Sequence, residues 1–156
     1  MKEQLLLSWE IHNQHNLLLL SHLTETDLKT SLSTRGRTVG EQLVHMHNTR
    51  ITWLESVAKS LYQKSMLLSK ETPLTNNTLK EAFRQSSTCI RQVIEISWEN
   101  GGKVPSFKAG LIPFVSYLLS HESHHRGNIL LTLKQNGFKI SDKLKWGLWE
   151  WNSLQS

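Results

Sequence analysis

Apolar side chains recur every three or four positions through four long stretches of this chain, a period that commits it to amphipathic helices. Leu5, Leu6, Trp9, His12, Leu17, Leu20 and Leu23 mark one stripe through residues 3–22. Leu43, Met46, Trp53, Leu54, Val57 and Leu61 mark a second, ending near residue 61. It opens on Thr38-Val39-Gly40-Glu41, where Thr and Glu have the spacing that satisfies the first free N–H groups of a helix. Polar, turn-forming runs precede and follow it: TETDLKTSLSTRGR and SKETPLTNNT. Thr78-Leu79-Lys80-Glu81 repeats the capping spacing, so a third helix is expected to start there. It carries Leu79, Phe83, Ile90, Val93, Ile94 and Trp98 and stops at Asn100-Gly101-Gly102. Pro113 suits the first turn of a fourth helix, which runs to Gln135 before Asn136-Gly137. That segment spans roughly 35 Å at about 1.5 Å per residue.

Four such helices and only three prolines predict an all-α four-helix bundle. At 156 residues the chain is expected to form a single domain, 1–156. The tail KISDKLKWGLWEWNSLQS holds three of the six tryptophans. Trp146, Leu148, Trp149 and Trp151 are expected to cover the open end of the bundle or to meet another subunit.

Charge excludes little. The formal net charge is +5, but the 18 Lys and Arg are scattered, with no two adjacent, and are offset by 13 acids. Only Lys134, Lys139, Lys143 and Lys145 form a group, which argues against a nucleic-acid interface. The single Cys89 rules out an internal disulfide and a cysteine metal cage. It falls among Phe83, Ile90 and Val93, where it reads as core filler. No run approaches the 18 or so apolar residues of a membrane span, and MKEQLLLSWEIHNQ lacks a signal-peptide cleavage site. A cytoplasmic protein is the expectation.

The stretch SHESHHRGN, Ser120 to Asn128, concentrates three histidines, a glutamate and an arginine beside the apolar run LIPFVSYLL. His121 and His125 lie four apart on the fourth helix, so their imidazoles leave one face about 5–6 Å apart at Cβ, within reach of one cation. Two ligands hold a divalent ion poorly, and a third has to come from elsewhere. Apart from His124, the remaining histidines are His12, His15 and His22 on the first helix and His45 and His47 on the second. On the second helix, periodicity puts His47 nearer the core and His45 off it, and leaves both in contention. Arg126 reads as a surface or subunit-contact ion pair. Gly127 reads as a point of close helix approach.

HESHHRGN at the start of an apolar helix end, preceded about eighty residues earlier by TVGEQLVHM and then Trp53, resembles the DinB/YfiT-like family of small bacterial proteins. Gly40, Leu43, His45, Met46 and Trp53 fall on the pattern of that family's second helix, which selects His45. His121, His125, Arg126 and Gly127 fall on the pattern of its last core helix. The resemblance implies a four-helix bundle, usually dimeric, in which His45, His121 and His125 hold a divalent ion, nickel or zinc first and manganese or iron next. It also implies that the ion activates a low-molecular-weight thiol, such as bacillithiol or mycothiol, for transfer to a small electrophile. Two further readings compete. His121-Glu122-x-x-His125 matches the H-E-x-x-H pattern of zinc peptidases, with Glu122 as general base and Glu150 as a downstream ligand. Alternatively, the ion only ties the second and fourth helices together in a non-catalytic interaction protein.

Overall fold

The computed structural model describes residues 1–152, and the last four residues of the tail lie outside that range. Four long helices carry the stripes: α1 (Lys2–Ser21), α3 (Val39–Val57), α4 (Asn76–Glu99) and α5 (Leu111–Gln135). Two short helices accompany them, α2 (Glu25–Leu28) and α6 (Asp142–Gly147). The fold is all-α. Among the described residues the only β pairing is an isolated bridge between Val104 and Phe107.

Side-chain caps set most of the starts. Thr38 and Glu41 form the expected reciprocal cap on α3. Thr24 and Asp27 cap α2 in the same way, and so turn part of a loop-like polar run into a helical turn. The α4 cap differs from the sequence expectation. Thr75, not Thr78, accepts the N–H bond, and α4 begins three residues earlier. Both threonines have suitable spacing, but Asn76 donates to the carbonyls of Leu20 and Leu23 and so ties the earlier start to the end of α1. Helix α3 also stops sooner than its stripe suggests: Ala58 leaves helical backbone geometry, and Leu61 reaches the core from the following turn.

Each long helix reads apolar, polar, apolar along its inward face. One core cluster contains Leu6 and Trp9 of α1, Ile51 and Leu54 of α3, Ile90 and Val93 of α4, and Phe114 and Leu118 of α5. A second contains Leu19 and Leu20, Leu43 and Met46, Leu79 and Phe83, and Ile129 and Leu133. Between them each helix buries polar groups: His12 and Asn16, Arg50, Ser86, and Glu122 and Arg126. The order in which each helix meets the clusters gives the topology: α1 and α5 run one way, α3 and α4 the other. Segment 58–75 must therefore travel back along the bundle. It is strapped to α3 by His47 Nε2 donating to the Met66 carbonyl at 2.7 Å and by a two-way pairing of Asn48 with Leu68.

The tail divides between the two expected roles. Leu144 is fully buried and Leu148 packs on the second cluster, whereas Trp146 and Trp149 are 62% and 77% exposed. Trp151 lies edge-on to His15, ring centroids 5.5 Å apart. No helix among the described residues is long and apolar enough to cross a membrane.

Gly127 is likewise not a close-approach position, because an added Cβ would meet open space. Gly127→Ala is therefore expected to stabilise the protein, by about 0.5–1 kcal/mol from helix propensity alone. Urea unfolding of the metal-free protein checks this, and a loss of stability would restore the packing interpretation.

Candidate metal centre

Successive positions on α5 differ by about 100° of rotation, so the letters HESHHR divide between two neighbouring faces. Glu122 and Arg126 point inward and are buried, while His121 and His125 are half-buried toward α3. The inward pair enters a network that reaches every long helix. Arg50 of α3 donates from Nε to Glu122 Oε1 at 2.6 Å and from its Nη2 to Oε2 at 2.7 Å. The other guanidinium nitrogen reaches Asn13, the Phe83 carbonyl and Ser86. Trp9 and Phe83 stack over the guanidinium at 4.7 and 4.8 Å. His12 and Asn16 of α1 also donate to Glu122 Oε2, at 2.9 and 2.7 Å. Arg126 donates to Asn16 Oδ1 at 2.7 Å and to Ser123 at 3.0 Å.

This network overturns two sequence expectations. Arg126, only 9% exposed, is an internal tie and not a surface ion pair; burial brings its guanidinium down to about 10, so it stays charged. Glu122 cannot act as a general base. Burial alone would raise its pKa, but the Arg50 charge and the bonds from Arg50 and His12 outweigh that and hold the carboxyl well below the usual range. Both oxygens are occupied and turned away from the imidazoles. Glu150 lies beside His15, its carbonyl 3.4 Å from His15 Nε2. The H-E-x-x-H arrangement of a peptidase is absent from the described residues.

His12 shows how the network is balanced. With Nε2–H donated to Glu122, its Nδ1 faces the Arg126 Nη1–H at 3.3 Å. Each partner then sees a neutral ring with one donor and one acceptor. Burial, chiefly, lowers the His12 pKa to about 4.

The outward pair meets His45. One nitrogen from each of His45, His121 and His125 lies within 4.8 Å of the others. His45 Nε2 and His121 Nε2 stand 3.3 Å apart. Two nitrogens about 2.0–2.1 Å from a shared cation at a tetrahedral angle would be about 3.3–3.4 Å apart, so the spacing fits an ion. All three imidazole pKa values are lowered, first by desolvation. For His125 the neighbouring His121 and His45 add to this and bring it to about 4. Neutral imidazoles are the form that ligates. Nδ1 of His121 and of His125 is buried without a hydrogen-bond partner. For His121, whose Nε2 faces His45, the carboxylate or carbonyl that usually orients a ligating histidine is therefore missing, and ring packing takes its place. Tyr117 stacks on His121 at 6.0 Å, 26° from parallel.

The neighbouring candidates fall outside the group. His47 is fully buried and its Nε2 is committed to Met66. His124 is exposed and pairs with Asn128. Cys89 packs half-buried against the core with its thiol pKa raised by burial. A depression of about 680 Å³ between α1, α4 and α6 contains none of the three histidines, and two of its charged residues, Arg91 and Glu10, pair with each other. Sequence reasoning missed Arg50. The available signal was an arginine on the stripe of Leu43, Met46, Leu54 and Val57, at a position that ought to be apolar.

Bundle and cluster together define a class: an antiparallel helical protein with three imidazoles at a seam, able to hold a metal ion. The model of the DinB family matches residues 1–141, and the chain belongs to that family. It is 21% identical over 155 residues to the uncharacterized protein YrdA of Bacillus subtilis (strain 168), covering 88% of this chain and 84% of that one. A crystal structure of a DinB-like protein from Bacillus cereus ATCC 10987 superposes with a TM-score of 0.69 at 19% identity, over 89% of this chain and 95% of that one. The matched region ends at Ser141, the cap of α6.

Two expectations follow. Glu122→Gln strands two buried arginines and should cost about 3–5 kcal/mol in urea unfolding; a loss below about 1 kcal/mol would show the pair to be incidental. Secondly, lowered imidazole pKa values leave fewer protons to displace. Three ordinary imidazoles would release about two protons on binding metal at pH 6, and this site should release fewer. Calorimetry in buffers of different ionisation enthalpy measures the number.

Proposed function

We propose that His45, His121 and His125 hold a divalent cation, and that the site activates a low-molecular-weight thiol for transfer to a small electrophile. The observation that carries this reading is the composition of the cluster: three imidazoles converge with no carboxylate among them. A neutral ligand set leaves the full positive charge of the ion available to lower the pKa of a thiol or water, or to polarise a carbonyl. The chain's own part is to present three uncharged nitrogens, to keep Glu122 turned inward where it cannot neutralise the site, and to leave the seam half-open to solvent. Imidazole donors favour nickel or zinc, with iron or manganese as weaker fits. The reading includes a homodimer, supported by the apolar area that Trp146 and Trp149 leave exposed.

Cobalt-loaded protein tests it. Addition of a small thiol should produce a thiolate-to-cobalt absorption band. His45→Ala should abolish both stoichiometric metal binding and the band. His47→Ala should lower the unfolding midpoint yet keep both. Stoichiometric metal with no response to any thiol would leave the non-catalytic, metal-stabilised protein as the correct reading.

A further inference from the structure

The seam that exposes the imidazoles continues beyond them. On α3, His45, Thr49 and Trp53 follow one another at four-residue steps, each half-buried; on α5, Tyr117, His121 and His125 do the same, with Tyr117 the most open at 37%. Because α3 and α5 are antiparallel, the three histidines gather in one half of the seam and the aromatic rings in the other. Trp53 and Tyr117 face each other across it at 5.7 Å, 77° apart. Phe107, from the loop between α4 and α5, closes the group at 5.6 Å from Trp53 and 6.1 Å from Tyr117. Behind them Phe114, fully buried, supports Trp53 and Phe107.

Phe107 is placed there by a tight turn. Ser106 has φ 60°, the only positive φ outside glycine among the described residues. Its side chain donates to the Ser56 carbonyl at 3.4 Å, and Phe107 N–H bonds back to the Val104 carbonyl at 3.1 Å. Such backbone strain persists where the surroundings over-determine it. Ordinary core packing would not require Trp53, Phe107 and Tyr117 to stay partly open beside a cluster of metal-ligating groups.

We infer that this aromatic half is the acceptor subsite, and that it takes a planar aromatic electrophile. The inference rests on the thiol-transfer reading and adds the class of acceptor. Four residues of helix separate Tyr117 from His121, about 6 Å of rise. A single six-membered ring stacked on Tyr117, and therefore edge-on to Trp53, brings its edge carbon to the imidazole half. With an aryl halide the thiol sulfur attacks that carbon. The C–S bond forms, the C–halogen bond breaks, the halide departs with the electron pair, and the thiol proton passes to solvent. No oxidant or reductant is needed.

The test uses zinc-loaded full-length protein with L-cysteine as thiol, and compares 1-chloro-2,4-dinitrobenzene with iodoacetamide. In the volume-keeping Phe107→Leu, at a residue that does not touch the imidazoles, the ratio of kcat/KM for the aromatic over the aliphatic acceptor should fall about three- to tenfold, the size of one aromatic contact, with zinc stoichiometry kept; Tyr117→Ala should lower the same ratio, compared at equal zinc content. An unchanged ratio would overturn the subsite. If neither acceptor turns over, thiol transfer fails, and the subsite is judged by binding alone. Saturation-transfer NMR with unreactive 2,4-dinitrotoluene should show contact with the wild type that weakens in Tyr117→Ala. Absent or unweakened contact refutes the subsite.

Discussion

The bidentate pair between Arg50 and Glu122 is the interaction on which the molecule turns. Two charges taken out of water cost several kcal/mol each, and they persist because both carboxylate oxygens and all three guanidinium nitrogens are hydrogen-bonded. The glutamate accepts from Arg50, His12 and Asn16; the arginine reaches Asn13, Ser86 and a backbone carbonyl while two aromatic rings cover its faces. Each of the four long helices contributes, so none can slide or rotate without breaking a bond to a buried charge. An apolar layer in its place would pack adequately in several registers. The polar layer accepts one.

That register is what the imidazole cluster depends on. Arg50 and His45 share α3, and Glu122 adjoins His121 on α5, so one bidentate contact sets the relative height of the ligands. This explains how the site manages without a hydrogen-bond partner on the far nitrogen of His121. Orientation comes from helix geometry and from the stacked Tyr117 ring. Desolvation does the remaining work by keeping the rings neutral.

Much of this was legible in the sequence because it is local. Apolar period gave the four helices, and the cap on α3 needed only Thr38 and Glu41. Where two caps competed, as at Thr75 and Thr78, a contact from Asn76 to the end of α1 decided, and no local pattern contains it. The letters HESHHR show the same limit. Spacing puts His121 and His125 on one face but does not say that Glu122 faces an arginine from another helix, and so it left a peptidase reading open. Periodicity could not choose between His45 and His47; the family resemblance named His45, and the structure turns His47 inward to the Met66 carbonyl. Arg126 and Gly127 were misjudged for one reason: burial on one side of a helix and openness on the next depend on neighbours that sequence spacing does not reveal.

The polar layer also bears on how such a chain can change over generations. Replacing Arg50, Glu122 or Arg126 alone leaves an unmatched ion in the interior, so these positions are exchangeable only in concert. Thr49, Trp53, Phe107 and Tyr117, half in water, can be altered one at a time with the scaffold intact. Such a division lets a lineage explore new chemistry at its rim while its centre stays frozen.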